Sequence, residues 1–248
     1  MKLSFRSLKS QKLNNSGVWA VVPAAGIGTR MDADKPKQYL TIANKTILEL
    51  TLQRLTSHPH IKGVVVAISE DDDLWPKLNK QFDCPVYTAS GGKERSDSVL
   101  NALIKLAEID DNDPWVLVHD AARPCLRHED IDRMLQQLLT HPVGGILGIP
   151  ITDTVKRIAA DNSISSTVSR QGLWRASTPQ MFHLQALTEV LQTAIKNQQK
   201  VTDEASAMEM AGYHPLMVEG HADNIKITIP QDLALASLFL SQQQGDDK

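Results

Sequence analysis

One stretch of the chain is rich in groups that handle phosphate. It runs Pro23-Ala24-Ala25-Gly26-Ile27-Gly28-Thr29-Arg30-Met31 and continues to Lys35-Pro36-Lys37-Gln38. Gly26 and Gly28 let backbone N–H groups come close to a phosphate, and Ala24 and Ala25 keep the adjoining wall shallow. Arg30 can grip phosphate oxygens in pairs, and Lys37 supplies a movable point charge. Together they suit a polyphosphate. Two other phosphate motifs are excluded. Met31 stands where the dinucleotide fingerprint GxGxxG needs its third glycine, which removes a nicotinamide oxidoreductase. The GK[ST] of a Walker A loop is absent.

A loop of this kind needs a rigid strand behind it. Five short apolar runs recur along the chain: Trp19–Val22, Val64–Ile68, Val86–Thr88, Val116–Val118 and Ile146–Ile149. The longer ones do not alternate polar and apolar residues, as expected of strands buried on both faces of a parallel sheet. Helical spacing lies between and after them, in Val99–Ala107, Ile131–Leu139 and Leu187–Ile195. Strand–helix alternation predicts an α/β fold with a doubly wound, mostly parallel sheet. Ligands of such sheets sit beyond the carboxyl ends of the strands. Asp120 closes the fourth run there, where a carboxylate can face a metal ion or serve as a turn residue. Asp223 is a weaker second candidate, and His119 reads as a packed strand-end residue.

Residues 151–170 break the rhythm. They are polar, with two β-leaning stretches around Ala160-Asp161-Asn162, and we expect a projecting β-arm. Beyond it we expect a short β-like piece and a helix near 184–196. A helix from about Asp203 to Ala211, strands near 216–219 and 225–228, and a final helix opened by Pro230 follow.

Composition sets the outer limits. The 248 residues are 42% hydrophobic and 22% charged, which excludes a disordered chain. The formal charge is −3, from 26 Lys and Arg against 29 Asp and Glu, which argues against a nucleic-acid binder. Apolar runs of about five residues fall far short of the roughly 20 needed to span a bilayer. Two cysteines, Cys84 and Cys125, give neither a disulfide framework nor a zinc signature. A cytoplasmic setting fits. Residues 1–17 carry Lys2, Arg6, Lys9 and Lys12 with no acidic residue, and we read them as a short disordered extension before one domain over 18–243.

Several strings besides the first loop fall in a familiar order. They include Gly91-Gly92-Lys93-Glu94-Arg95 running to Ser98-Val99, and His119-Asp120-Ala121-Ala122-Arg123-Pro124. Asp153-Thr154-Val155-Lys156, Thr178-Pro179-Gln180, Thr202-Asp203-Glu204-Ala205 and Ala222-Asp223-Asn224-Ile225-Lys226-Ile227-Thr228 follow. Over roughly residues 18–240 the chain resembles the 2-C-methyl-D-erythritol 4-phosphate cytidylyltransferase family. These Rossmann-like nucleotidyltransferases join CTP to an alditol phosphate on the non-mevalonate isoprenoid route. A cytidylyltransferase for another alditol phosphate, such as ribitol 5-phosphate, shares the loop and the cations. A non-catalytic nucleotide sensor would be expected to lack one or more of them.

The resemblance implies roles. Arg30 and Lys37 would stabilise the transition state, and Arg170 and Lys226 would hold the attacking phosphate. Ala24, Ala25, Gly26, Gly28, Gly92, Ser98, Asp120 and Ala121 would bind the nucleotide. Thr154 and Thr202 would bind the acceptor together with Arg170 and Lys226. Mg²⁺ would lie near Asp120, and a homodimer would exchange arms so that Arg170 serves the neighbouring site. Ser98 suits helix capping equally well, and Lys226, in an Ile-Lys-Ile run, could instead be a strand residue facing solvent.

Overall fold

The computed structural model describes residues 17–26, 35–79 and 81–246. Gly28, Arg30 and residues 1–16 of the expected N-terminal extension lie outside the described residues. The first part of the chain contains β1 (Val18–Pro23), a small hairpin of β2 (Thr41–Ile42) and β3 (Lys45–Thr46), α1 (Ile47–Thr56), β4 (Ile61–Ile68) and β5 (Val86–Ser90). Next come α2 (Arg95–Ile109), β6 (Trp115–Val118), α3 (His128–Leu138) and β7 (Gly144–Pro150). The remainder is β8 (Val155–Ile158), β9 (Ile164–Val168), β10 (Trp174–His183), α4 (Leu184–Lys196), α5 (Glu204–Met210), β11 (Leu216–Glu219) and α6 (Gln231–Asp246).

Seven strands form the central sheet in the order β11-β7-β10-β6-β1-β4-β5. All neighbours run parallel except β10, which is antiparallel to both β6 and β7. The period of two along β1 divides its side chains between two cores. Val18, Ala20 and Val22 meet Leu48 and Leu52 of α1 and Ile131 and Met134 of α3. Trp19 and Val21 meet Val99 and Leu103 of α2 and Leu187 and Leu191 of α4. Covered on both faces, β1 has no position for a solvated residue, which is why its sequence does not alternate. A third cluster docks Ala236 and Leu240 of α6 against Ile47, Cys125 and Ile227.

Each of the five apolar runs lies within a strand, and the three amphipathic patterns overlap α2, α3 and α4. The small hairpin and α1 are not among the expected elements, although Leu48, Leu52 and Leu55 follow helical spacing and are buried. Helix α1 is nevertheless well specified locally. Thr46 caps it by accepting from the Glu49 N–H, and the Glu49 carboxylate accepts from the Thr46 N–H.

Residues 151–170 contain β8 and β9, which pair only with each other, antiparallel, outside the central sheet. Their turn passes through Asn162 in the left-handed region, and Ile158 and Ile164 are 58% and 65% exposed. The strand expected near 225–228 does not form. Backbone bonding along it reaches another segment through Ile227 N–H to the Ala122 carbonyl, while Ile225 N–H turns back to Asp223. Side-chain bonds to Asp223 and Asn224 hold this segment instead of a ladder.

Leu103 is fully buried between α2 and the sheet. Leu103→Ala should lower unfolding free energy by about 2–5 kcal/mol. Urea denaturation followed by circular dichroism measures this, and a loss below about 1 kcal/mol would contradict the packing described.

Candidate active site

At the carboxyl edge of the sheet a cavity of about 390 Å³ opens between the end of β1, the turn before α2 and the turn after β6. Ala24, Ala25 and Gly26 form one wall. Lys37 enters from a single 3-10 turn, Lys37–Tyr39. Gly92 and Ser98 form the opposite wall, Asp120 and Ala121 the floor, and Lys226 closes it from the segment after β11. Nine residues named from sequence therefore share one cavity although they span 203 positions, from Ala24 to Lys226.

The walls are held at fixed separation. Ala24 N–H extends the ladder to the Ala67 carbonyl of β4, and Gly91 N–H bonds the Ile68 carbonyl one residue further on. A β-carbon at Gly91 would stand 2.2 Å from that of Ala25, so only glycine allows these two turns to approach. Ser98 Oγ accepts from the Gly92 N–H at 3.0 Å and donates to the Glu94 carbonyl at 3.2 Å. Its hydroxyl thus ties the Gly-Gly turn to α2, a different role from capping the first turn.

The floor is an ion cluster. The Asp120 carboxylate accepts from Arg95 Nε at 3.0 Å and lies 2.9 Å from Lys226 Nζ and 3.4 Å from Arg123 Nε. Burial would raise this carboxyl, but Arg95, Lys226 and Arg123 hold it well below the usual carboxylate range. Arg95 continues outward as a two-pronged pair with Glu204, at 2.7 and 3.1 Å. Glu204 is buried in the first turn of α5, where the helix dipole also favours a carboxylate. Neither Arg95 nor Arg123 was singled out from sequence, nor was Glu204. The Arg95 pairs with Asp120 and Glu204 span 25 and 109 positions, which no local pattern marks, whereas Arg123 lies only three positions from Asp120.

His119 belongs to the scaffold. Asp120 N–H donates to Thr178 Oγ1 at 3.0 Å, and Thr178 Oγ1 lies 3.1 Å from His119 Nδ1. His119 Nε2 lies 3.0 Å from the Arg123 carbonyl, which accepts only. The proton therefore sits on Nε2, Nδ1 accepts from Thr178, and the chain of donors closes. Burial pushes the ring down to about 4, so it is neutral at pH 7. Asp223 lies outside this cavity's lining, paired with Arg127 at 2.7 Å and with Gln243 at 3.0 Å.

Three expected acceptor residues stand apart from this lining. Thr202 lines a neighbouring cavity of about 450 Å³, which shares Glu94 and Arg95 with the first. Thr154 and Arg170 flank the β8–β9 hairpin and are exposed, the Arg170 guanidinium donating to the Thr152 carbonyl.

Arg95→Ala should cost about 3 kcal/mol at pH 7, because it leaves Glu204 and Asp120 short of a cation. A depressed carboxyl stabilises the fold above its unfolded pKa of about 3.9 and loses that contribution progressively as pH falls from there toward its much lower folded value. The gap between wild type and variant should therefore shrink below about pH 4. Urea titrations at several pH values check this, and a gap independent of pH would contradict the assignment.

Known proteins supply the family. The family model for 2-C-methyl-D-erythritol 4-phosphate cytidylyltransferase matches residues 18–242. A protein of that name from Shewanella amazonensis is 53% identical over 234 residues, 94% of this chain and 98% of the relative. One from Vibrio vulnificus is 52% identical over 225 residues, 91% of this chain and 95% of the relative. The crystal structure of the Francisella tularensis cytidylyltransferase superposes with a TM-score of 0.76 at 38% identity, covering 90% of this chain and all of that one. With the match running the length of the sheet and through every wall of the cavity, the chain belongs to the 2-C-methyl-D-erythritol 4-phosphate cytidylyltransferase family.

Proposed function

We propose that the protein transfers CMP from CTP to 2-C-methyl-D-erythritol 4-phosphate, releasing pyrophosphate and forming 4-diphosphocytidyl-2-C-methyl-D-erythritol. The observation that carries this reading is the single cavity in which Lys37 and Lys226 meet the Ala24–Gly26 wall and the Gly92–Ser98 wall. The relatives' names favour methylerythritol phosphate over ribitol phosphate as acceptor. The attacking group is a phosphate oxygen, already ionised at neutral pH, so no general base is required. The neutral, fully bonded His119 fits that economy. What remains is alignment and charge neutralisation.

In this reading Lys37, with Arg30, meets charge that develops on the α-phosphate, and Lys226 holds the acceptor phosphate with Arg170 and Thr154. Thr202 contacts the acceptor from the adjoining cavity, across Arg95. Ala24, Ala25, Gly26, Gly28, Gly92, Ser98 and Ala121 cradle the nucleotide. Among the described residues no three metal-binding side chains converge. Among the described residues, Asp120 offers a carboxylate on the cavity floor and Glu94 a second in its lining. That donor set fits Mg²⁺, which takes one or two carboxylates and completes its shell with phosphate oxygens and water. A bound cation would offset the negative charge of the triphosphate. Lys226, on Asp120 Oδ2, keeps that carboxylate oriented toward the cavity.

We further read residues 18–243 as one catalytic unit, preceded by an extension and working in the cytoplasm. No described helix is long and apolar enough to cross a membrane. We also assign a homodimer in which each β8–β9 arm reaches its partner. Among the described residues the arm pairs with no other strand, exposes Ile158 and Ile164, and carries Thr154 and Arg170 at its base. A two-fold interface allows both arms to cross together.

Pyrophosphate release should be fast with CTP and methylerythritol phosphate and at least tenfold slower, in kcat/KM, with UTP. The two bases reverse hydrogen-bond polarity at ring position four, and an unpaired buried group costs about 1–3 kcal/mol. Equal use of both nucleotides would refute the base-reading role of the Gly91–Ser98 turn. Lys37→Ala and Arg170→Ala should each be nearly inactive. Mixed after unfolding and refolding, they should recover about one quarter of wild-type sites, because one site per mixed dimer is intact. Demonstrated heterodimers without activity would place Arg170 in its own subunit's site.

A further inference from the structure

Lys37 stands on a 3-10 turn of only three residues, Lys37–Tyr39, which adds no strand to the central sheet. So short an element does not fix a side chain by its own hydrogen bonds, which here are Tyr39 N–H to the Pro36 carbonyl and Leu40 N–H to the Lys37 carbonyl. Yet the two residues after Lys37 are almost fully buried, Gln38 at 4% and Tyr39 at 4% exposure. Gln38 Nε2 donates to the Ala24 carbonyl at 2.7 Å, across 14 positions of sequence. The Tyr39 hydroxyl donates to Asp72 Oδ2 at 2.6 Å, and Asp72 Oδ1 accepts from the N–H groups of Leu74 and Trp75. Burial and the adjacent Asp72 carboxylate push the Tyr39 phenol far above its ordinary value, so it remains a donor.

The two anchors act on different bodies. Tyr39 ties the turn to the loop after β4. Gln38 ties it to the last ladder residue of β1, whose N–H is fixed to Ala67. Ala24 and Lys37 line the same cavity, one as wall and one as cation. We propose that Gln38, seconded by Tyr39, is a positioning residue that sets Lys37 against the Ala24–Gly26 wall.

This inference rests on the reaction proposed above, and the experiment separates the two. Wild-type protein is first assayed for pyrophosphate release from CTP and methylerythritol phosphate. No release there sinks the proposed reaction, and the positioning role assigned to Gln38 goes with it. With active wild type, Gln38→Met removes the donor at similar volume. It should lower kcat ~10- to 100-fold, the scale of an ångström of misplacement, with KM for CTP within about threefold, since a misplaced Lys37 loses charge complementarity in the transition state. Gln38→Glu supplies a signature that general destabilisation does not. A protonated carboxyl can donate to the Ala24 carbonyl, whereas a carboxylate repels it. The charged groups sharing this lining are Lys37, Lys93, Glu94, Arg95, Asp120 and Lys226. The kcat of Gln38→Glu relative to wild type should therefore rise as pH falls, while Gln38→Met shows a constant ratio. Tyr39→Phe, which keeps the ring and loses the Asp72 bond, should lower kcat by less than Gln38→Met. Melting curves confirm folding, and if Gln38→Met does not fold, the Gln38→Glu profile and Tyr39→Phe decide. A Gln38→Met kcat within twofold of wild type, or a Gln38→Glu ratio flat in pH, overturns the proposal.

Discussion

A single buried carboxylate organises the cavity. Asp120 ends the central strand β6 and draws in Arg95 from α2, Arg123 from the turn behind it and Lys226 from the segment after β11. Without it, three cations would crowd one edge of the sheet with Glu204 balancing Arg95 alone. Without them, a carboxylate at 7% exposure would be driven to take up a proton. Among the described residues, Arg95, Arg123, Lys226, Lys37 and Lys93 outnumber Asp120, Glu204 and Glu94 around the cavity. The site is thus locally positive in a chain whose formal charge is −3, the arrangement expected where a polyanion is recognised by geometry rather than by bulk charge.

The cluster is supported by two kinds of scaffold. One is the ladder: β1 lies between β4 and β6, so Ala24 and Asp120 leave the sheet from adjacent strands at fixed spacing. The other is a mesh of side chains where the backbone has no ladder to use. Asn224 donates to the Thr178 carbonyl, Arg123 donates to the Asn224 carbonyl, and Arg127 and Gln243 hold Asp223. These bonds carry the segment that ends at Lys226. A cation placed in this way can keep its base fixed while its long side chain moves between Asp120 and a bound phosphate.

Phosphate chemistry explains why the buried histidine is inert. A nucleophile ionised at neutral pH gains nothing from a base, and His119 spends both ring nitrogens on Thr178 and the Arg123 carbonyl. Its contribution is to fix Thr178, which accepts the Asp120 N–H and so helps set the direction in which the strand ends.

The sequence by itself determined the local terms. Apolar runs specified the five strands; four are buried on both faces over most of their length, as the two cores around Val18–Val22 show, while β5 lies at the sheet edge with Tyr87 and Thr88 exposed. Helical spacing located α2, α3 and α4, and the type and order of the motif residues marked Ala24–Gly26, Lys37, Gly92–Ser98, Asp120 and Lys226. Ala24–Gly26 and Lys37 are legible because phosphate chemistry restricts residue type at short spacing, whereas Gly92–Ser98 and Lys226 were implied by the family resemblance and Asp120 by its place at a strand end. Tertiary structure alone decided the partners. Arg95 with Glu204 and Gln38 with Ala24 are pairs set by how elements stack, and nothing within a few positions of either residue records the other. Residues 225–228 show the same limit from the opposite side. Their Ile-Lys-Ile-Thr pattern reads as a strand, but side-chain anchors at Asp223 and Asn224 hold the segment without one. Pattern reports what a segment can bury, whereas pairing depends on which neighbour the fold brings within reach.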